Sequence, residues 1–382
     1  IKWFFSFYFF QDEIDVRIIF ESVTDGKYYY PLIQYLSDLN FTKTFDPNIE
    51  TLKIIPIPVS SLFLNSIFLK IFKFYSFIFL EFLSLTIFIS LLYRINRFIF
   101  SKKISLLYSL LILFSPTLIN SSFLGELQFL KIFSDNLYNF RVPRPMISNL
   151  FLFGFIYLIL KIYIKNQYTI KNFLLLGFIM GLSLSSFYYY FFLEFLTFIV
   201  ILILKYKQDF IKNIFNQFRH YILIISSFLI TATPFLINLY FHEKDFTGRQ
   251  CVYGLDLENK LTLLKFYLNQ FLEIGFIIIL LSVISSTIWF NFKNNRRRKF
   301  INLLCILFLS SVLNPLFFIT ISSKACVFYH FNNLIIVTGI LFFIFIILIY
   351  LEKFFISFRI DKLYKVLNLI LISLLSISFY LS

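Results

Sequence analysis

Ten long apolar runs, separated by polar or basic segments, decide what this chain can fold into. They are centred on residues 74–92, 104–119, 148–160, 173–187, 191–204, 221–240, 271–290, 301–321, 334–351 and 366–380. Crossing about 30 Å of hydrocarbon takes roughly 17 to 25 residues at about 1.5 Å each. No single water-soluble core could hide so much apolar surface: 59% of the residues are hydrophobic, 22% aromatic and only 14% charged. The chain needs lipid as its solvent, and in lipid the backbone must satisfy itself within helices. The sequence therefore predicts an all-α, polytopic transmembrane protein forming one transmembrane domain over residues 1–382. Residues 1–10 are too short to cross and read as the end of a truncated first helix, which gives about eleven spans. A signal peptide is the competing reading, but no basic start or small-residue cleavage site marks one. The 58 Phe read as lipid-facing and helix-packing residues.

Charge tests that span count, because short cytoplasmic loops collect Lys and Arg. Five alternate loops hold 20 of the 35 basic residues against three acids, Asp209, Glu352 and Asp361. They begin with Arg94, Arg97, Lys102 and Lys103, continue through Lys161, Lys165 and Lys171, then Lys205, Lys207, Lys212 and Arg219, and culminate in Lys293 and the run Arg296, Arg297, Arg298, Lys299; the last holds Lys353, Arg359, Lys362 and Lys365. The runs between Asn172 and Lys205 have little polar material on which to reverse. The charge pattern nevertheless requires two spans there, turning outside around residues 185–190. The net charge of +15 thus describes loops facing anionic lipid, and nucleic acid is not needed to explain it.

The opposite side carries four polar segments, residues 11–73, 121–145, 241–270 and 322–333. Chemistry is expected there. The first is acidic and ends at Pro56 and Pro58, after which residues 59–72 read as a helix lying in the interface. Treating that helix as a span would invert every later loop against the charge rule. In the third segment His242, Glu243, Asp245 and Arg249 cluster just past a span, as a second acidic patch or a metal site, or simply as a solvated face. In the fourth, Lys324 and His330 flank the start of a helix, and His330 could contact phosphate or acceptor or serve only as hydrogen-bonded structure. Glu126 could pair with an arginine or remain a loop charge. Glu81 and Glu194 fall inside apolar runs, and an intramembrane carboxylate is a functional candidate by default. Glu81 is the only formal charge in residues 74–92, whereas Glu194 stands near the outer end of its run and reads as reaching the interface.

Cys251 and Cys326 fall on the outer side, where they could pair or remain thiols, while Cys305 lies in a span. No phosphate-cradling glycine loop, zincin motif or serine-hydrolase motif is present, which argues against a nucleotide-driven pump.

Asp25, followed by Gly26, Lys27, Tyr28, Tyr29, Tyr30 and Pro31, then the Pro56 and Pro58 pair opening an apolar helix, resembles the first extracytoplasmic loop of the GT-C membrane glycosyltransferases. That superfamily includes the protein O-mannosyltransferases and aminoarabinose transferases. The match covers roughly residues 19–92; the family's usual acidic doublet is here an acid followed by glycine. The resemblance implies a bacterial inner-membrane enzyme that moves a sugar from a polyprenyl-phosphate donor in the bilayer to an acceptor at the outer face. It implies Asp25 as general base with inversion at the sugar, with Asp12 or Glu13 as alternates, and Tyr28 and Tyr29 beside it. Arg141 and Arg144, stiffened by Pro143 and Pro145, are the expected cations for the departing phosphate, with Arg249 and Lys324 as further candidates; snorkelling to outer headgroups is the alternative for the two arginines. A divalent metal is possible on this reading, and no residue set specifies one; the sequence leaves the oligomeric state open. A transporter or flippase using the buried acids is the competing class, although no inverted repeat or paired Gly/Pro interruption is visible. A structural or assembly protein without catalysis is a third.

Overall fold

The structure, a computed structural model, describes residues 8–9, 26–39, 59–120, 126–139, 141–142, 145–206, 217–241, 295–321 and 329–357, with isolated positions between 258 and 269. Helices make up these segments, and no strand occurs among the described residues. In chain order they are α1 (Gly26–Ser37), α2 (Val59–Phe72), α3 (Ser76–Asn96), α4 (Lys102–Asn120), α5 (Gln128–Leu137), α6 (Ser148–Tyr163), α7 (Ile170–Tyr206), α8 (Phe218–Phe241), α9 (Asn295–Ile321) and α10 (Tyr329–Ser357). Five of them, α3, α7, α8, α9 and α10, are long and apolar enough to cross a membrane.

Which side chains face outward identifies the solvent. On α2 the polar residues Ser61, Asn65 and Ser66 are buried, while Phe63, Ile67 and Ile71 form an exposed stripe at a spacing of four. On α8 Ser227 is buried and donates to the Leu174 carbonyl at 2.7 Å, while Ile222, Ile225, Leu229 and Ile230 face out. Polar groups inside and aliphatic groups outside reverse the pattern of a soluble protein, and suit a surround that cannot hydrogen-bond. This is a membrane protein. The expectation that residues 59–72 form a separate helix ahead of the first full crossing also holds: Lys73, at φ 51, turns the chain sharply between α2 and α3.

The longest helix is folded back on itself. Phe187 departs from helical geometry (φ −148, ψ 86) inside α7. Ser183 and Glu194, on either side of it, are hydrogen-bonded at 2.9 Å, and Lys205 donates to the hydroxyl of Tyr168. Only an antiparallel hairpin joins both pairs, since 37 helical residues would extend about 55 Å. The reversal expected from charge alone around residues 185–190 is therefore present, with arms of 170–186 and 188–206.

Neighbour directions follow from residue pairs. Helix α8 runs parallel to the first arm of α7, with the Phe173 ring on His220 and Gly177 on Ile224. At Gly177 and Gly181 the two backbones come so close that a Cβ would strike Ile224 or Thr231, so small residues set the approach. Helix α6 runs parallel to α3, through Phe88 with Phe153 and Phe98 with Tyr157. Helices α9 and α10 are antiparallel, pinned by Ser311 with Thr338 at 2.8 Å and by an Arg297–Glu352 ion pair.

These directions collect the basic residues at one end. The Arg94 guanidinium and the Lys161 ammonium lie 5.8 and 5.6 Å from the Tyr157 ring, and Lys165 lies 4.9 Å from Phe98. Lys161 also donates to Asn172 at 2.9 Å. At the opposite end α1 and α2 close over the bundle. Ser60 donates to the Leu182 carbonyl at 2.9 Å, Ser61 bonds Ser186, and Leu32, Ile33 and Leu36 of α1 share an apolar cluster with Leu62, Leu80 and Ile147.

Candidate functional site

The polar groups that are costly to bury in lipid concentrate at this second end, around the hairpin turn of α7. Asn149, near the start of α6, ties three elements together. Its amide nitrogen donates to the carbonyls of Asn136, at 2.8 Å, and Leu137, and its oxygen accepts from the Tyr190 hydroxyl. Asn333 on α10 reaches the Asn136 side chain at 3.4 Å. His330, one turn earlier, packs edge-on against Phe187 at 5.1 Å and against Tyr189 at 5.0 Å. The turn thus presents aromatic faces beside amide groups that donate and accept, a combination suited to a hydroxylated ligand.

The segment after α5 joins this focus to the intramembrane acid Glu81. Tyr138 stacks on Phe88 at 4.6 Å and shares a 3.1 Å hydrogen bond with Ser84, one turn from Glu81 on α3. Burial pushes the Tyr138 phenol well above its ordinary range; the Ser84 bond opposes the rise, and the charge of Glu81 adds to it. Glu81 is itself only 6% exposed. The Ser84–Tyr138 pair thus lies one helical turn from Glu81, which stands about 8 Å below the start of α3.

Of the acids and bases expected to act, Asp12, Glu13, Asp25, Arg144, His242, Glu243, Asp245, Arg249 and Lys324 lie outside the described residues, as do Cys251 and Cys326. Tyr28 lies in α1 by its backbone, and Tyr29 is half-buried against the cluster shared by α1, α2 and α6. Arg141 is exposed, and its backbone amide donates to Asn139 at 2.9 Å. Val142 beside it is buried in the same apolar cluster as Leu32, Ile33 and Leu36 of α1. Glu126 is exposed just before α5. Among the described residues no group of three or more His, Cys, Asp and Glu could hold a metal.

Glu194 does not reach the interface as its position in the run suggested. It is fully buried within the hairpin, because the reversal at Phe187 turns its face toward Ser183 on the other arm. Sequence reasoning also missed Tyr138, Asn136, Asn149, Tyr190 and Asn333. The available signal was faint: Ser84 follows Glu81 by three residues, which places the two on one helical face.

No protein-family model, no curated protein and no solved structure matches the chain.

Proposed function

We propose that the protein is a membrane glycosyltransferase of GT-C type. It would move a sugar from a polyprenyl-phosphate-linked donor to an acceptor at the outer face of a bacterial inner membrane, through a bundle of about eleven spans. One observation carries the reading. Leu32, Ile33 and Leu36 of α1, which begins one residue after Asp25, belong to the same buried apolar cluster as Val142, the neighbour of Arg141. A shared cluster under the first polar segment and the arginine segment before α6 supports a reaction that needs a carboxylate base and a cation for the departing phosphate.

In this reading Asp25 takes the proton from the acceptor hydroxyl as that oxygen attacks the anomeric carbon. Arg141 and Arg144 hold the phosphate as it leaves, and the aromatic and amide groups around His330, Tyr189 and Asn149 receive the sugar or acceptor. The amphipathic placement of α2, with Phe63, Ile67 and Ile71 facing out, would let a lipid-linked donor approach from the bilayer.

Comparing glycolipid and glycan masses from cells with and without the gene tests the proposal. Loss of one sugar from an envelope glycan supports it and names the acceptor, whereas identical profiles exclude it. A second class, a transporter or flippase, draws on the fully buried Glu194. That reading expects substrate movement in proteoliposomes without sugar transfer.

A further inference from the structure

Glu194 lies seven residues beyond the turn at Phe187, about 10 Å below it along the second arm of α7. Its side chain has no exposure. Oε1 accepts a 2.9 Å hydrogen bond from Ser183, while Oε2 has no hydrogen-bond partner among the described residues. Thr197, three residues on and therefore on the same face, is also fully buried, and its hydroxyl has no such partner either. Two uncommitted oxygens thus adjoin in an apolar interior.

Countercharge is absent from this interior among the described residues. The charged groups of the packed helices lie elsewhere: Lys70 on α2 is exposed and paired with Asp38 at 3.7 Å, and the basic end holds Lys161 on α6, Arg219 and His220 on α8, Arg296, Arg297, Arg298 and Lys299 on α9, and Lys171 and Lys205 on α7 itself. Lys205 is eleven residues away, about 16 Å. Around the turn lie Tyr188, Tyr189, Tyr190 and His330, and His330 faces Phe187 and Tyr189. The one hydrogen bond to its carboxyl among the described residues comes from Ser183, a neutral hydroxyl. An ionised carboxylate without a partner is strongly disfavoured there.

The hydroxyls nearest this carboxyl are themselves enclosed. Ser183, its hydrogen-bond donor, and Ser186 share one face of the first arm, Ser186 is hydrogen-bonded to Ser61 of α2, and all three are fully buried. A hydroxyl both donates and accepts, so such groups can hydrogen-bond the acid form of a carboxyl as well as its ionised form.

We propose that Glu194, with Ser183 and Thr197, is a proton-binding site within the membrane bundle. The site is separate from the proposed sugar-transfer groups and stands whether or not transfer is found.

The test uses the full chain reconstituted in phosphatidylcholine vesicles and treated with the hydrophobic reagent dicyclohexylcarbodiimide, which reacts with protonated carboxyls in apolar surroundings. Peptide mass mapping of the unmutated protein should find the adduct on Glu194. Labelling should increase as pH falls, because the acid form reacts, and a water-soluble carbodiimide should leave Glu194 unmodified. Absence of a Glu194 adduct, or equal labelling by the water-soluble reagent, overturns the site.

Discussion

Ser183 donates a 2.9 Å hydrogen bond to Oε1 of Glu194, a residue eleven positions further along the same stretch of helix. In a continuous helix the two would stand about 16 Å apart. The bond exists because the chain reverses at Phe187, and the reversal makes α7 two antiparallel arms.

Cross-linking tests the reversal directly. With Cys251, Cys305 and Cys326 replaced by Ser, the pair Tyr168→Cys and Lys205→Cys should be joined by a short bifunctional thiol reagent within one chain. A straight helix would hold these positions about 55 Å apart and give no intramolecular product.

The contact between α7 and α8 depends on Gly177, where an added Cβ would lie 2.9 Å from the Ile224 carbonyl carbon and closer still to its oxygen. Backbone cannot move aside as a flexible side chain does. Gly177→Leu should destabilise the protein by about 1 to 3 kcal/mol, read as a lower thermal-aggregation midpoint in detergent. At Gly339 the nearest atoms belong to the Phe308 ring, at 3.1 Å, so Gly339→Ala should cost less.

Arg297 and Glu352 pair across α9 and α10 where both are largely buried. Removing either partner strands the other. A double-mutant cycle with Arg297→Met and Glu352→Gln should therefore give a coupling of about 1 to 3 kcal/mol in stability. The double variant should be more stable than the sum of the two single effects predicts.

Tyr138 supplies a pH test. Its phenol ionises near pH 10 in an unfolded chain, and burial holds it above that in the fold. The folded protein thus keeps a proton that the unfolded chain releases. The contribution is complete below pH 10 and is lost as pH rises through the folded value, by up to about 1.4 kcal/mol per pH unit. Tyr138→Phe should lose about 1 kcal/mol below pH 10 with the Ser84 hydrogen bond and show a shallower decline above it. Other tyrosines contribute to the slope, so the difference between the two proteins is the quantity to read.

Lipid as solvent, a separate helix over residues 59–72 and the reversal near Phe187 were legible in the sequence. Apolar run length and the alternation of basic loops constrain them without any knowledge of neighbours. Burial within α7 was not legible, because nearly every position there is apolar and no stripe distinguishes a lipid-facing side from a packed one. Glu194 therefore looked interfacial although Ser183 encloses it. The polar focus of Asn136, Tyr138, Asn149 and Tyr190 joins residues 41 and 54 positions apart, in the bonds of Asn149 with Tyr190 and Ser84 with Tyr138. Local spacing carries no trace of such pairs. Tyr29 and the Arg141 segment were expected near one another, and α1 and Val142 share a cluster, whereas Asp25 and Arg144 lie outside the described residues.

The account's central claim is sugar transfer, and the most direct measurement follows the donor. Purified full-length protein in lipid vesicles is supplied with a panel of radiolabelled polyprenyl-phosphate sugars and a membrane extract as the source of acceptor. Label should leave at least one donor and enter an acceptor. Asp25→Asn, inserted to the same level, should reduce that transfer by at least two orders of magnitude, as loss of a general base does. Transfer unchanged in Asp25→Asn would remove Asp25 as the base, and no transfer from any donor by the unmutated protein would contradict the function itself.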